Sequence, residues 1–217
     1  MSEPTPHTWF VFDLGNVLIR LAYERVVAAI CAQASLGRDD LVELLERAGG
    51  YRDLERGIVT FEEFHRFLCD SAGFQGNVLT LRRIWTDFFA GPVEGIEDVL
   101  ERVRARHRVA FLSNSNEVHA EVIPKLFAFL FERGDVFIFS HEQKTAKPDL
   151  LIYQKMLQLL GVKAEEIVYV DDLQENVIAA RELGISAFRF RGSADLLRSL
   201  EEHGILPSHD LPTASPA

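Results

Sequence analysis

Hydrophobic and polar positions fall into two regimes along this chain. The first is set by a run of strand-forming residues, Trp9-Phe10-Val11-Phe12, that ends at Asp13 and continues as Leu14-Gly15-Asn16-Val17-Leu18-Ile19. An unbroken apolar run closed by a carboxylate and a Gly-Asn pair predicts a buried strand that delivers Asp13 to the edge of a sheet and then turns. Two later stretches repeat the design: Val109 to Ser113-Asn114, and Ile167 to Asp171-Asp172. Between them Lys147-Pro148 stands just ahead of a helical pattern.

From about Leu21 to Gly91 the period changes. Apolar residues recur at three- and four-residue intervals over Tyr23 to Ala32, Asp39 to Ala48, Phe61 to Ala72 and Leu79 to Phe89, which predicts four helices and no strand. Thr60 followed three residues later by Glu63 marks the start of the third as a capping box. From Gly95 helix and strand alternate. Helices are expected over 96–105, 118–131, 149–160, 175–183 and 194–203, and strands over 109–113, 136–140, 167–171 and 186–190. Gly161 and Gly184 each follow a helical run, where a left-handed residue ends a helix. Such alternation predicts an α/β fold with a mostly parallel sheet and helices on both faces, joined by right-handed crossovers. The expected organisation is an α/β core from residues 7–20 and 92–206, a helical insertion at 21–91, and a Pro/Ser-rich flexible tail at 207–217.

Charge narrows the choice of partners. With 33 Asp+Glu against 23 Lys+Arg, the net charge of −10 argues against a long nucleic acid, which needs clustered basic residues. A small phosphate is not excluded, because it needs only a local positive site. The two cysteines, Cys31 and Cys69, lie far apart and signal neither a disulfide scaffold nor a zinc site. No secretory signal is legible at the N-terminus, and no apolar run reaches the ~20 residues of a membrane span, so a cytoplasmic protein without a membrane partner is expected. The apolar run Leu126 to Phe131 is cut short by Glu132-Arg133-Gly134-Asp135 and reads as core packing.

In open parallel sheets ligands bind beyond the carboxyl ends of the strands, where Asp13, Ser113 and Asp171-Asp172 are all expected. Taken singly, each has an ordinary structural explanation as a turn or a helix cap. As an ordered set, Asp13-Leu14-Gly15-Asn16-Val17, Ser113-Asn114-Ser115-Asn116, Lys147-Pro148 and Asp171-Asp172 resemble the motifs of the haloacid dehalogenase superfamily. Within it, the chain is similar to small capped phosphatases such as alpha-D-glucose-1-phosphate phosphatase, with the resemblance running from Phe10 to about Phe190. It implies a Rossmann-type core with a mobile four-helix cap, and a Mg²⁺-dependent phosphatase acting on a small phosphorylated metabolite, with a sugar 1-phosphate as one candidate.

The chemistry suits that reading. A phosphate monoester dianion resists attack until its charge is offset and a nucleophile is held in line. Asp13 can form an aspartyl-phosphate, and Mg²⁺ takes hard oxygen ligands that Asp13, the carbonyl of Gly15 and Asp172 offer. The resemblance places Asp172 in the direct shell, with Asp171 beside it. Lys147 offsets charge on Asp13 and the phosphate, while Ser113 and Asn114 offer donors to phosphate oxygens. Arg56, in the turn Glu55-Arg56-Gly57, is a candidate sugar contact. His119 reads as a surface or capping histidine, and His141 and Glu142 carry no assigned role.

One departure stands out. The common phosphatase pattern has a second Asp two residues after the nucleophile, acting as acid and base, and here that position is Gly15. The leaving oxygen must be protonated from elsewhere or need no proton, as for a sugar leaving through its more acidic anomeric oxygen. The latter case predicts a steep dependence of rate on leaving-group acidity. Two other classes share parts of the pattern: a 2-haloacid dehalogenase, for which Asp171-Asp172 would have no use, and a non-hydrolytic phosphometabolite-binding or regulatory protein.

Overall fold

The strand that ends at Asp13 lies at the centre of a five-stranded parallel sheet. The computed structural model describes residues 9–47, 50–132 and 134–207. In chain order it contains β1 (Trp9–Phe12), β2 (Ile19–Leu21), α1 (Tyr23–Cys31), α2 (Arg38–Arg47), α3 (Gly50–Glu55), α4 (Phe61–Ala72), α5 (Val78–Thr86) and β3 (Phe89–Pro92). There follow α6 (Ile96–Arg104), β4 (Arg108–Ser113), α7 (Glu117–Leu126), β5 (Val136–Phe139), α8 (Ser140–Gln143) and α9 (Leu150–Leu160). The chain closes with β6 (Ile167–Asp171), α10 (Gln174–Glu182), β7 (Ser186–Arg189) and α11 (Ser193–Glu202).

The sheet order is β5-β4-β1-β6-β7, and every pairing is parallel. Because side chains alternate across a strand, β1 feeds two cores at once. Phe10 and Phe12 pack with Phe111, Val168 and Val170 against the helix residues Val99, Leu100, Leu196 and Leu200. Trp9 and Val11 pack on the other face with Ala110, Leu112 and Tyr169 against Tyr153, Met156 and Val177. All four β1 side chains are buried, each worth roughly 1.5–3 kcal/mol if aliphatic or Phe-sized. This burial on both faces explains why the run has no polar position before Asp13.

The insertion differs from expectation in two ways. Its described residues form five helices rather than four, because Gly50–Glu55 makes a helix of its own. It is also entered and left through a strand pair: β2 runs antiparallel to β3, with Ile19 opposite Pro92 and Arg20 opposite Gly91. The helix expected to reach Phe89 ends at Thr86, whose hydroxyl donates to the Arg83 carbonyl at 2.9 Å and competes with continuation of the helix. The helix expected over 118–131 likewise ends at Leu126. Pro124 lies inside it without a backbone donor, and a 3-10 turn over Ala128–Leu130 carries Leu130 into the core. Gly161 ends α9 in the left-handed region, as expected. The tail beyond Pro207, and Ala48, lie outside the described residues.

The five helices share a separate core around Phe61, Phe64, Leu68, Leu81 and Trp85, joined from the other side only by Val118 of α7 among its fully buried members. Phe64 meets Trp85 edge-on at 5.0 Å between ring centroids. At the start of α4 the Thr60 hydroxyl accepts the Glu63 N–H at 3.2 Å, and the Glu63 carboxylate accepts the Thr60 N–H at 2.8 Å. Thr60→Ala is therefore expected to lower stability by about 1 kcal/mol, read as a shifted midpoint in urea denaturation.

Candidate active site

Three parallel strands and one loop bring the predicted residues to a single point. Asp13 follows β1, Ser113 ends β4, Asp171 ends β6 and Lys147 precedes α9. The Asp13 N–H is itself held by the Val170 carbonyl at 2.8 Å, so the turn after β1 is pinned to β6. Lys147 Nζ donates to Asp13 Oδ1 at 2.6 Å, to Asp171 Oδ2 at 2.7 Å and to the Leu112 carbonyl at 3.0 Å. All three charged groups are buried, with Asp171 fully enclosed.

Asp171 is saturated. Its Oδ2 also accepts the Tyr169 hydroxyl, and its Oδ1 accepts the Leu173 N–H and the Asn176 side-chain amide, each at 2.9 Å. Burial alone would raise its pKa, but the Lys147 charge and these hydrogen bonds hold it below the usual carboxylate range. Asp171 is thus a positioner of Lys147, whereas Asp172 lines the cavity. Asn114 has a similar part: its side-chain carbonyl accepts the Lys147 N–H at 2.8 Å and its amide donates to the Lys147 carbonyl at 2.9 Å. The expected phosphate donor at Asn114 therefore has its side chain occupied in holding the lysine's backbone.

The turn beyond Asp13 is shaped by packing. Asn16 takes the left-handed conformation, φ 53°, and its side-chain oxygen accepts the Leu21 N–H at 3.2 Å. A Cβ at Gly15 would come within 2.9 Å of Leu21 Cδ1 and 3.8 Å of Asp13 Oδ2. The near atom is the tip of the partly exposed Leu21 side chain, from β2.

A cavity of about 270 Å³ opens over these groups, walled by Asp13, Gly15, Ser113, Ser115, Lys147 and Asp172. Its other side comes from the helical insertion and its connection, through Tyr51, Glu55, Phe88 and Phe89. Arg56 is not among the lining residues; its neighbour Glu55 takes the place predicted for it. Residue 55 is the last of α3, and a step of one residue turns a side chain by about 100° around a helix axis, so the turn offers Glu55 and not Arg56 to the cavity. Burial pushes the Glu55 carboxyl up to about 7, against the lowering effects of the Tyr51 hydroxyl, Lys147, Arg52 and Arg56.

His119 is neither at the surface nor only a cap. It is 4% exposed, lies parallel to Trp85 and Phe88 at 5.8 and 5.1 Å, and lines the cavity. Its Nε2 donates to the Trp85 carbonyl at 3.0 Å, and its Nδ1 accepts the Asn116 amide at 3.3 Å. Burial lowers its pKa to about 4, so the ring is neutral and works as a packed aromatic. The stacking partners come from α5 and the turn after it, more than thirty residues earlier in the chain, which local periodicity does not register. Ser115 Oγ, also lining the cavity, is buried and has no hydrogen-bond partner among the described residues.

Oxygens of Asp13, Asp171 and Asp172 lie within 4.8 Å of one another, a hard-donor set that suits a small divalent cation. One ammonium faces three carboxylates. Burial, opposed by Lys147 and reinforced by Asp171 and Asp172, raises the Asp13 carboxyl to about 7, and a dication there would relieve that excess of negative charge.

A profile of haloacid dehalogenase-like hydrolases matches residues 7–184. The D-ribitol-5-phosphate phosphatase of Bacteroides thetaiotaomicron is 25% identical over 200 residues, covering 88% of this chain and 95% of that protein. A solved haloacid dehalogenase-family enzyme of the same organism, in complex with magnesium and inorganic phosphate, superposes with a TM-score of 0.74 at 26% identity, covering 85% of this chain and 94% of the other. A solved L-2-haloacid dehalogenase shares the fold at a TM-score of 0.60 and 17% identity, over 83% of this chain and 82% of its own.

Two outcomes follow from the electrostatics. Lys147→Ala leaves buried carboxylates without their counter-charge and is expected to lower stability by about 3–5 kcal/mol in chemical denaturation. Asp13 and Glu55 both ionise later in the folded chain, at about 7 in place of 3.8 and 4.5, so the folded state binds more protons between those limits. Their contribution to stability is fully present below about pH 4 and declines as pH rises toward 7 and just beyond. In metal-free buffer the unfolding free energy should fall across that window, and Glu55→Gln should make the fall shallower.

Proposed function

The chain belongs to the haloacid dehalogenase-like hydrolase family, and from that premise we propose that it is a Mg²⁺-dependent phosphatase of a small phosphorylated polyhydroxy metabolite, working through an aspartyl-phosphate on Asp13. The observation that carries this reading is the buried Lys147, bonded to Asp13 and Asp171 while Asp172 lines the same cavity. Asp13 Oδ2 is the free oxygen of a carboxylate whose other oxygen is anchored, which is what an in-line nucleophile requires.

Asp13, Asp172 and the Gly15 carbonyl would hold Mg²⁺, which when bound supplies positive charge to the phosphoryl oxygens. Lys147 neutralises Asp13 from behind and faces the developing charge. Ser113 and the unpartnered Ser115 hydroxyl supply donors to phosphate or substrate oxygens. The helices α1–α5 act as a cap, with Tyr51 and Glu55 turned toward the leaving group.

The substrate class rests on the relative that acts on D-ribitol 5-phosphate and on a cavity whose mixture of aromatic rings, hydroxyls and one carboxyl suits a polyol or sugar. Sugar 1-phosphates belong to the same class. Halide displacement is disfavoured, since it needs no cation and a carboxylate cluster suited to one would have no task there.

Purified protein with Mg²⁺ is expected to release phosphate from members of a panel of polyol and sugar phosphates. Chelator should abolish release, and Asp13→Asn should lower it by at least ~10⁴-fold, the scale on which loss of a covalent nucleophile acts. Binding without turnover by the wild-type protein would identify a non-hydrolytic binder.

A further inference from the structure

The ester of an ordinary alcohol needs a proton on its departing oxygen, and Gly15 has none to give. A Cβ at that position would stand 2.9 Å from Leu21 Cδ1. A donor must come from another wall of the cavity, whose ionisable residues are Asp13, Tyr51, Glu55, His119, Lys147 and Asp172. Asp13 and Lys147 are joined in the ion pair, and Asp172 belongs to the carboxylate trio. His119 has both ring nitrogens bonded within its aromatic stack. Burial and Glu55 raise the Tyr51 hydroxyl well above its ordinary range, too weak an acid for the task. Glu55 remains.

Its position is fixed from the core side. Ser140 Oγ donates to the Glu55 carbonyl at 2.5 Å, and Lys144 Nζ donates to the Gly57 carbonyl at 2.6 Å. Gly57, in the left-handed region at φ +61°, lies so close that a Cβ would stand 2.2 Å from the His141 carbonyl. The C-terminus of α3 is thereby seated on α8, and the same Ser140 hydroxyl accepts the Ser115 N–H at 2.8 Å. The backbone of Glu55 is thus held by the core, and its carboxyl is hydrogen-bonded to Tyr51 rather than to a group on the phosphate side.

The geometry points to Glu55 as the general acid and base of the reaction, a proton donor supplied by the cap in place of the one missing at position 15. This deepens the phosphatase reading and rests on it. As Asp13 forms its bond to phosphorus, the phosphorus–oxygen bond to the alcohol breaks; its electron pair stays on that oxygen, which takes the Glu55 proton. The resulting Glu55 carboxylate then takes a proton from water as the water oxygen bonds to phosphorus, and the Asp13–phosphorus bond breaks to return the carboxylate and free phosphate. A carboxyl that titrates at about 7 in its buried setting can serve in both directions near neutral pH. The groups that face it are Tyr51, Arg52, Arg56 and Lys147, with Lys144 and His141 against the adjoining turn.

The test compares wild type with Glu55→Gln on a series of phosphate monoesters from alkyl alcohols to 4-nitrophenol, with Mg²⁺ present. Wild type should hydrolyse alkyl and aryl esters with a shallow dependence on leaving-group acidity. The variant should lose roughly 10²–10³-fold in kcat/KM on alkyl esters but remain within about threefold on 4-nitrophenyl phosphate, and the alkaline limb of the pH profile should disappear. Because the contrast lies within one protein preparation, partial unfolding does not imitate it. An equal loss on both ester types, or a steep dependence already present in wild type, overturns the role of Glu55 and leaves the phosphatase reading standing. Absence of Mg²⁺-dependent hydrolysis of every ester by wild type overturns that reading and this inference together.

Discussion

A buried ammonium shared between two carboxylates is the constraint from which the rest of this structure follows. Taking such charges out of water is unfavourable by several kcal/mol for each ion, and mutual attraction compensates only when geometry and hydrogen bonding are complete. Here they nearly are. Lys147 has three acceptors for its three protons, drawn from the end of β1, the end of β4 and the end of β6. Asp171 has every lone pair engaged. The incompletely satisfied member is Asp13, one oxygen of which is left for chemistry. The strand order that puts β1 between β4 and β6 is therefore also the order that lets one lysine reach all three.

The helical insertion is attached to this centre at two places of different character. Around His119 the contact is apolar: a neutral imidazole lies among Trp85, Phe88 and Phe89, within reach of the cavity wall. Around Ser140 and Lys144 it is polar, made by side chains of the core to backbone carbonyls at the end of α3. The first fixes where the insertion sits, and the second aims a carboxyl. Position 15 completes the picture, because the leucine beside it, whose Cδ1 is 2.9 Å from where a Cβ would stand, belongs to the strand by which the chain enters the insertion.

Much of this was legible in the chain itself, for a physical reason. A strand buried on both faces tolerates no polar residue, so the first one after Phe12, Leu112 and Val170 marks the edge where the sheet meets solvent and substrate. The long amphipathic helices were equally readable. What escaped was short or depended on distant partners. Gly50–Glu55 is too brief to display a helical period, and β2 and β3, with Arg20, Gly91 and Pro92 among their few residues, carry no strand pattern. Glu55 and Arg56 differ only in which way the end of that short helix turns, and the depth of His119 is decided by rings that approach from the insertion. The bonds between the Asn114 amide and the Lys147 backbone were equally hidden, a fit between residues 33 positions apart.

The Ser140 hydroxyl has a single proton and two carbonyls within reach, Glu55 at 2.5 Å and Ser115 at 3.1 Å. A bond rotation of the hydroxyl is enough to exchange one acceptor for the other. Were the Glu55 carbonyl drawn away, the serine would re-aim at Ser115, while the Lys144 ammonium would exchange the Gly57 carbonyl for water. The hydroxyl between the two halves thus keeps an acceptor whichever side of it is present.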